Sequence, residues 1–376
     1  MHIHHVNLQA IVGGGEIYTR ALTRAFADAG AQVSLYVHPA NRIWAGLPGV
    51  VPAADEEELL ARLPRSRSIV VTQSPLSGRT VERLARAHDL VAFAHMPITG
   101  ERSAEGFRSC RLVVTVSRYC IALLRSAGIE HVYPEPLYGT ADLERGDHGP
   151  IAARSPYVWD RRKLRDRLLG AFEPLFGPAR AHSPFGRMAG LTLGVVSLIS
   201  PIKQLPLLFS ILAPALAARP AVRLEIVGQG GYAQVRDLKR ALAPLGDRAR
   251  FWGHQENVAA VYPQLDYLLT GLPEKEALGL NVLEAQACGT PVLAPKAPPF
   301  TETMLEGASG YFYRDPREDG GRDFETLLDS IVAGRARLDP RQAATEHLAK
   351  FSYAALVERT GRLLEHLDRT VGDTAG

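Results

Sequence analysis

Cysteine is scarce: the 376 residues contain three, Cys110, Cys120 and Cys288. Their odd number and the absence of metal-ligand spacing exclude a disulfide framework or a zinc ribbon, and fit a reducing cytosol. Long apolar runs are also lacking. The longest, Leu205 to Ala218, is broken by Pro206, Ser210 and Pro214. It falls short of the roughly 18 apolar residues of a spanning helix and reads as a core helix. The N-terminus, MHIHHVNLQAIVGGG, has no basic start followed by an apolar core, so no secretory leader is expected. An excess of one charge sign is missing too. The formal net charge is only +3, and no aromatic-and-basic repeat accompanies it, which argues against a nucleic-acid binder. No internal repeat of about 20–50 residues is present.

What remains is ordinary for a globular chain, with 46% hydrophobic and 22% charged residues. The length is more than one core usually fills and suits two domains. Short apolar, β-like runs alternate with helical patterns. The first series of candidate strands is 2–7, 32–37, 68–72, 90–94, 112–116 and 131–133. Helical patterns at 16–29, 56–63, 78–88 and 118–127 lie among them. A second series follows at 192–197, 223–227, 249–252, 267–270, 291–294 and 310–313. Such alternation predicts α/β architecture, two parallel, doubly wound sheets with helices on both faces. The expected division is a first Rossmann-like domain at 1–145, a Pro-, Gly- and Arg-rich connection at 146–190 with a short helix at 159–169, a second Rossmann-like domain at 191–350, and a terminal segment at 351–376 with an amphipathic helix at 353–367. Ligands of such sheets bind at the carboxyl ends of the strands.

The most informative stretch runs from Glu276 to Glu284, reading EALGLNVLE, and continues into AQACGTPVLAP. A carboxylate before a helix and a second about two turns in can hold two distant hydroxyl groups of one ligand. The amides between them, at Leu280 and Asn281 after Gly279, have no helical partners and can receive an anion. Hydroxyls at both ends and a phosphate between them describe a nucleotide-diphosphate sugar. An ordinary amphipathic helix leading into a buried strand would also carry two glutamates at this spacing.

This stretch resembles the E-x(7)-E signature of retaining GT-B glycosyltransferases, with its GL, LEA and CGTPV elements in register. The resemblance implies a GT-B fold: two Rossmann-like domains facing across a cleft, with a C-terminal helix returning to the first. Phe351-Ser352-Tyr353 is similar to the family's F-S-W element before that helix. By the same resemblance Glu284 holds ribose hydroxyls and Glu276 the donor sugar. Lys203, in Ser200-Pro201-Ile202-Lys203, and the amides of Leu280 and Asn281 hold the diphosphate. His95, at the end of LVAFAHMP, contacts the sugar from the other domain.

The turn Gly13-Gly14-Gly15-Glu16 is similar to the family's GGxE loop beside the donor diphosphate and acceptor. Tyr18 stands where a dinucleotide fingerprint needs its third glycine, and a plain strand-to-helix turn would read the same. Gly228 in VGQG and Gly253 in FWGH resemble two further ligand-side turns, the second beside the nucleobase. Gly139 is kept from an N-G-V-D turn, but Tyr138 replaces its asparagine. Glu302 and Gly310 match a later structural element. Leu198 stands where the family has a phosphate-gripping arginine, the largest departure. Arg102 is either a loop residue that reaches an acidic acceptor or a solvated one. His2, His4 and His5 read as strand filling.

The function this implies is metal-independent retaining transfer of a sugar from a nucleotide-diphosphate sugar, UDP- or GDP-linked, to a hydroxyl acceptor in surface-polysaccharide, lipid-linked glycan or natural-product synthesis. No cofactor is expected. A non-catalytic sugar-nucleotide binder and a sugar-nucleotide 2-epimerase are the competing readings. The basic cluster Arg161, Arg162, Lys163, Arg165 and Arg167 is either a solvated face or a contact with anionic lipid on the inner face of the cell membrane.

Overall fold

The computed structural model describes residues 1–11, 13–100, 102–141, 151–160, 163–176, 185–186, 189–334 and 337–372. The chain divides into two compact units, residues 1–140 with 349–376, and residues 141–348. The reading at Arg161 and Arg162, and the start of the connection at 146–150, lie outside the described residues.

The first unit contains β1 (His2–Asn7), α1 (Gly14–Asp28), β2 (Gln32–Val37), β3 (Val50–Pro52), α2 (Glu56–Arg62), β4 (Ile69–Thr72), α3 (Gly78–Ala87), β5 (Asp89–Ala94), α4 (Glu105–Arg108), β6 (Leu112–Thr115) and α5 (Arg118–Ser126). Its strands form one parallel sheet ordered β3-β2-β1-β4-β5-β6. β4, β5 and β6 are buried at every position, as expected when helices cover both faces of a parallel sheet. Side-chain caps from Asp55, Ser77 and Ser117 start α2, α3 and α5.

The second unit contains β7 (Tyr157–Val158), α6 (Leu164–Phe176), β8 (Leu191–Val196), α7 (Leu205–Ala217), β9 (Val222–Val227), β10 (Gly230–Gly231), α8 (Tyr232–Ala241), β11 (Ala249–Gly253), α9 (Val258–Val261), β12 (Tyr267–Leu269), α10 (Leu280–Ala287), β13 (Val292–Pro295), α11 (Phe300–Thr303), β14 (Gly310–Tyr313), α12 (Pro316–Asp319), α13 (Arg322–Val332), α14 (Pro340–Ala343) and α15 (Thr345–Ala349), the last ending at the unit boundary. Its main sheet, β11-β9-β8-β12-β13-β14, is again parallel and repeats the strand order of the first. In both sheets the order reverses beside the first strand. The reversal falls between β1 and β4 in one and between β8 and β12 in the other, the point where a crevice opens at the carboxyl ends.

Helix α16 (Tyr353–Gly372) belongs to the first unit and packs on α1. Tyr353 Oη donates to Asp28 at 2.7 Å, and Arg362 grips Glu135 with two nitrogens at 2.8 and 2.6 Å. Tyr138 is buried here, edge-on to Phe351 at 4.9 Å and under the Arg359 guanidinium at 4.8 Å. An aromatic ring at this position therefore anchors the returning helix.

Three expectations shift. The segment 131–133 makes one bridge, Val113 to Val132, and no strand. Pro134 follows directly and has no N–H to extend the ladder. β3, only three residues long, is an additional edge strand. It pairs with β2 beside Gly49, whose φ is +69° and whose Cβ would meet the Val33 carbonyl oxygen at 2.3 Å. The connecting helix begins at Leu164 and runs to Phe176 rather than spanning 159–169. Trp159 instead stacks on Tyr157 at 4.8 Å, and Gly170, inside the helix, makes room for its ring.

In the second sheet Arg250 lies opposite Glu225 on the neighbouring strand. The pair is fully buried. Arg250 Nε reaches Glu225 at 2.9 Å, and Trp252 Nε1 donates to the same carboxylate at 2.6 Å. Removing one partner strands the other charge in the core. Glu225→Ala is expected to cost about 3–5 kcal/mol in urea unfolding; a loss within 1 kcal/mol, on the order of an exposed pair, would contradict this account.

Candidate functional site

At the reversal in the second sheet, the loop after β8 carries Lys203 and the loop after β12 carries Glu276. The two side chains form an ion pair, Lys203 Nζ donating to Glu276 Oε2. Both stay partly open to solvent, at 27% and 17% exposure. Glu276 Oε1 also accepts the Gly279 amide at 3.2 Å, which fixes the carboxylate at the entrance of α10. The loops approach closely because residue 271 is glycine; a Cβ there would lie 2.8 Å from the Lys203 carbonyl oxygen.

A second link runs alongside. Gln204 adopts a left-handed backbone, φ 49°, and its Nε2 donates to Glu274 Oε1 at 2.6 Å. Glu274 in turn accepts from Arg317 Nη1 at 2.5 Å, and Asp315 holds Arg317 at 2.6 Å. Arg317 first, and Gln204 second, hold the Glu274 carboxyl below the usual carboxylate range.

Gly279, φ 81°, caps α10 in the left-handed conformation. The N–H groups of Leu280 and Asn281 open that helix and have no partner within it. The Asn281 side chain donates to the Val196 carbonyl at 3.0 Å and ties the helix start to the end of β8. One turn further, Glu284 is half-buried and accepts from Tyr262 Oη at 2.7 Å. Burial raises the Glu284 pKa, opposed by the tyrosine hydrogen bond.

Gly228 and Gly253, expected at ligand-side turns, pack against the chain itself. Gly228, φ 144°, would place a Cβ 1.9 Å from the Ser197 carbonyl oxygen. Gly253, φ 65°, would place one 2.5 Å from the carbonyl oxygens of both Arg154 and Ser155. The Gly228 amide also bonds to the Gly253 carbonyl at 2.8 Å. The chain's own backbone therefore requires both glycines. Leu198 is exposed beside this loop.

The first unit carries its own group of residues at strand ends. Asn7 ends β1 and donates to Thr19 Oγ1 at 2.8 Å. Glu16 turns back to accept the Gly13 amide at 2.8 Å. Gly14 opens α1, and a Cβ on Gly15 would meet open space. His95, just past β5, bonds through Nε2 to the Gln73 side-chain oxygen. It lies edge-on to Tyr18 at 5.1 Å and stacked on Phe93 at 6.0 Å. Burial lowers its pKa to about 4, so the imidazole is neutral at pH 7. The buried Gln73 Nε2 has no hydrogen-bond partner among the described residues.

His4 bonds to Tyr36 Oη at 3.1 Å and His5 Nδ1 to Thr23 Oγ1 at 2.8 Å, while the buried His5 Nε2 has no hydrogen-bond partner among the described residues. Arg102 is exposed in its loop. Among the described residues no group of three or more His, Cys, Asp or Glu is placed to hold a metal. Nor, among the same residues, is any helix long and apolar enough to cross a membrane.

Sequence reasoning missed Gln73, Gln204, Glu274, Tyr262 and Arg317. Gln73 could have been found, because it directly follows β4 at the reversal of the first sheet. The others act through partners 22 to 70 residues away, with no local signature.

Two parallel doubly wound sheets with a helix returning to the first unit make the GT-B architecture. Residues 190–329 match the family model for glycosyl transferases group 1. It is 35% identical over 153 residues to a D-inositol 3-phosphate glycosyltransferase of Mycolicibacterium vanbaalenii, an alignment covering 39% of this chain and 32% of that protein. A protein of the same name from Nocardiopsis dassonvillei is 26% identical over 386 residues, 92% of this chain and 88% of its own. Three of the stronger matches are covered over only 32%, 37% and 39% of their length. Among solved structures, Anabaena Alr3699/HepE in complex with UDP-glucose shares the fold with a TM-score of 0.68 at 17% identity, over 97% of this chain and 100% of that one.

The raised Glu284 pKa has a consequence for stability. Folding disfavours its ionised form, so the penalty is absent below the ordinary carboxylate pKa of 4.5 and full once the pH exceeds the raised value. Glu284→Gln, still able to accept from Tyr262, is expected to raise the melting temperature at about pH 7.5 and to lose that gain as the pH falls toward the ordinary value. A gain independent of pH would show that ionisation of Glu284 is not its source.

Proposed function

We propose that the protein is a retaining glycosyltransferase that moves a sugar from a nucleotide-diphosphate sugar to a hydroxyl acceptor. One observation carries the reading: Lys203 and Glu276, from separate loops, meet at the open end of α10, with the Leu280 and Asn281 amides beside them. A diphosphate there would receive the lysine charge and the helix amides, leaving Glu276 for the hydroxyls of the donor sugar and Glu284 for those of the ribose. Sugar transfer passes through an oxocarbenium-like state. Fixed positive groups that stabilise the departing diphosphate lower that barrier without a metal. Retention comes from the family likeness. In the first unit, the neutral His95 imidazole would hydrogen-bond a sugar hydroxyl, held in place by Gln73.

UDP-sugars are the favoured donors, supported by the UDP-glucose complex of the Anabaena relative. GDP-sugars are the next choice. A polyol or sugar hydroxyl is the acceptor, whether on a surface polysaccharide, a lipid-linked glycan or a natural product. A lipid-linked acceptor fits a cytoplasmic enzyme touching the membrane through the exposed basic residues Lys163, Arg165 and Arg167. The exposed Leu198 favours a second reading, a sugar-nucleotide binder without transfer, because an apolar side chain cannot grip phosphate.

A thermal-shift screen of UDP-, GDP-, ADP- and TDP-sugars, followed by product analysis, tests the proposal. Glu276→Ala is expected to abolish transfer while leaving nucleotide binding mostly intact; unchanged turnover would defeat the assignment. Lys203→Ala should lower kcat/KM by about a hundredfold or more, as loss of a donor to a developing anion does. A chelator should leave the rate unaltered, and a strict need for divalent metal would contradict the mechanism. Donor binding with no transfer to a broad acceptor panel would favour the binder.

A further inference from the structure

Helix α6 is packed inside out. Its inward stripe is polar or small. Asp166 is buried, accepts the Asp160 amide at 3.2 Å and pairs with Arg165 at 2.7 Å. Gly170 closes on Trp159, where a Cβ would sit 3.1 Å from the ring. Glu173 accepts from Trp159 Nε1 at 2.5 Å. The apolar residues point the other way: Leu164, Leu168 and Phe172 recur every fourth residue and are 69%, 54% and 53% exposed. A helix on a soluble domain normally turns such a stripe inward, and a contiguous exposed one marks a contact surface.

We propose that this stripe inserts into the interfacial region of an anionic lipid bilayer. Exposed Arg165 and Arg167 border it, and Arg167 makes no ion pair among the described residues. Both acids of the helix, Asp166 and Glu173, are engaged on its inner side. A second copy of the face would therefore meet the arginines with arginines and offer no carboxylate, whereas anionic headgroups complement them. The helix is also tethered near the site. β7, just before it, pairs with β10, and the Gly230 amide bonds to the Pro156 carbonyl at 2.9 Å at the carboxyl end of β9. That is the end of the sheet that carries Lys203 and Glu276. The inference rests on the membrane contact proposed above and changes its physics from adsorption by charge to apolar insertion.

Vesicle flotation of the full chain tests it, with vesicles of phosphatidylglycerol and phosphatidylcholine and with phosphatidylcholine alone. The parent protein is expected to bind the anionic vesicles and to keep much of that binding in high salt. The L164D/L168D/F172D variant should bind about tenfold or more weakly at any salt, with an unchanged melting curve because the three side chains are exposed. R167A should weaken binding only at low salt. Equal binding by parent and triple variant, abolished in both by salt, would overturn insertion and leave adsorption. No vesicle binding by the parent would overturn both. A dimer in light scattering that the triple variant removes, without vesicle binding, would assign the face to a second copy and overturn the proposal. Sugar-nucleotide titration of the same samples reads the transferase assignment separately and should not differ between parent and variant.

Discussion

The site depends on one contact, the ion pair between Lys203 and Glu276 at the reversal of the second sheet. Strand order makes that contact possible. β8 and β12 are neighbours whose following connections leave in opposite directions, so the two loops flank an opening that no crossover covers. The pair is partly solvated, and exposed pairs contribute at most about 1 kcal/mol. An anion that competes for the lysine therefore displaces little binding energy. The pair Glu225–Arg250 is the opposite case. It is fully buried, shared with Trp252 and bound to the strand register, so neither partner can be given up. One ion pair is open to exchange with a ligand, and the other fixes the frame that supports it.

The glycines show how a backbone requirement can read in sequence as a ligand site. A turn after a strand reads in sequence as a place where a ligand approaches the main chain. At Gly228 and Gly253 the approaching group is the chain itself, through Ser197 in one case and the 154–155 segment in the other. That segment leads into β7 and α6, so the connection grips the end of the second sheet before the sheet begins. At Gly15 a Cβ would meet no atom, so close packing does not account for the glycine there.

The fold was legible because a parallel sheet covered on both faces needs nearly unbroken apolar strands, and these stand out between helical patterns. The E-x(7)-E stretch was legible because one short helix carries most of it. What the sequence could not convey is contact between distant segments. Nothing local indicates that Gln204 bends into a left-handed turn to reach Glu274, or that Tyr262 meets Glu284. Lys203 read as a phosphate ligand, and its engagement with Glu276 emerges only when two loops 73 residues apart come together. The helix of the connection, expected at 159–169, runs from Leu164 to Phe176 and passes through Gly170. That residue's lack of a side chain admits the Trp159 ring.

Electrostatics limits what the first unit can contribute. His95 is enclosed by Tyr18 and Phe93 and hydrogen-bonded to Gln73, with a pKa lowered to about 4 by burial. Such an imidazole carries no charge at neutral pH and is a poor proton donor to a leaving group. It can orient and polarise through a hydrogen bond, as an amide can. Under the proposed transfer the developing charge lies on the diphosphate, and a neutral imidazole would be asked only to orient a sugar hydroxyl.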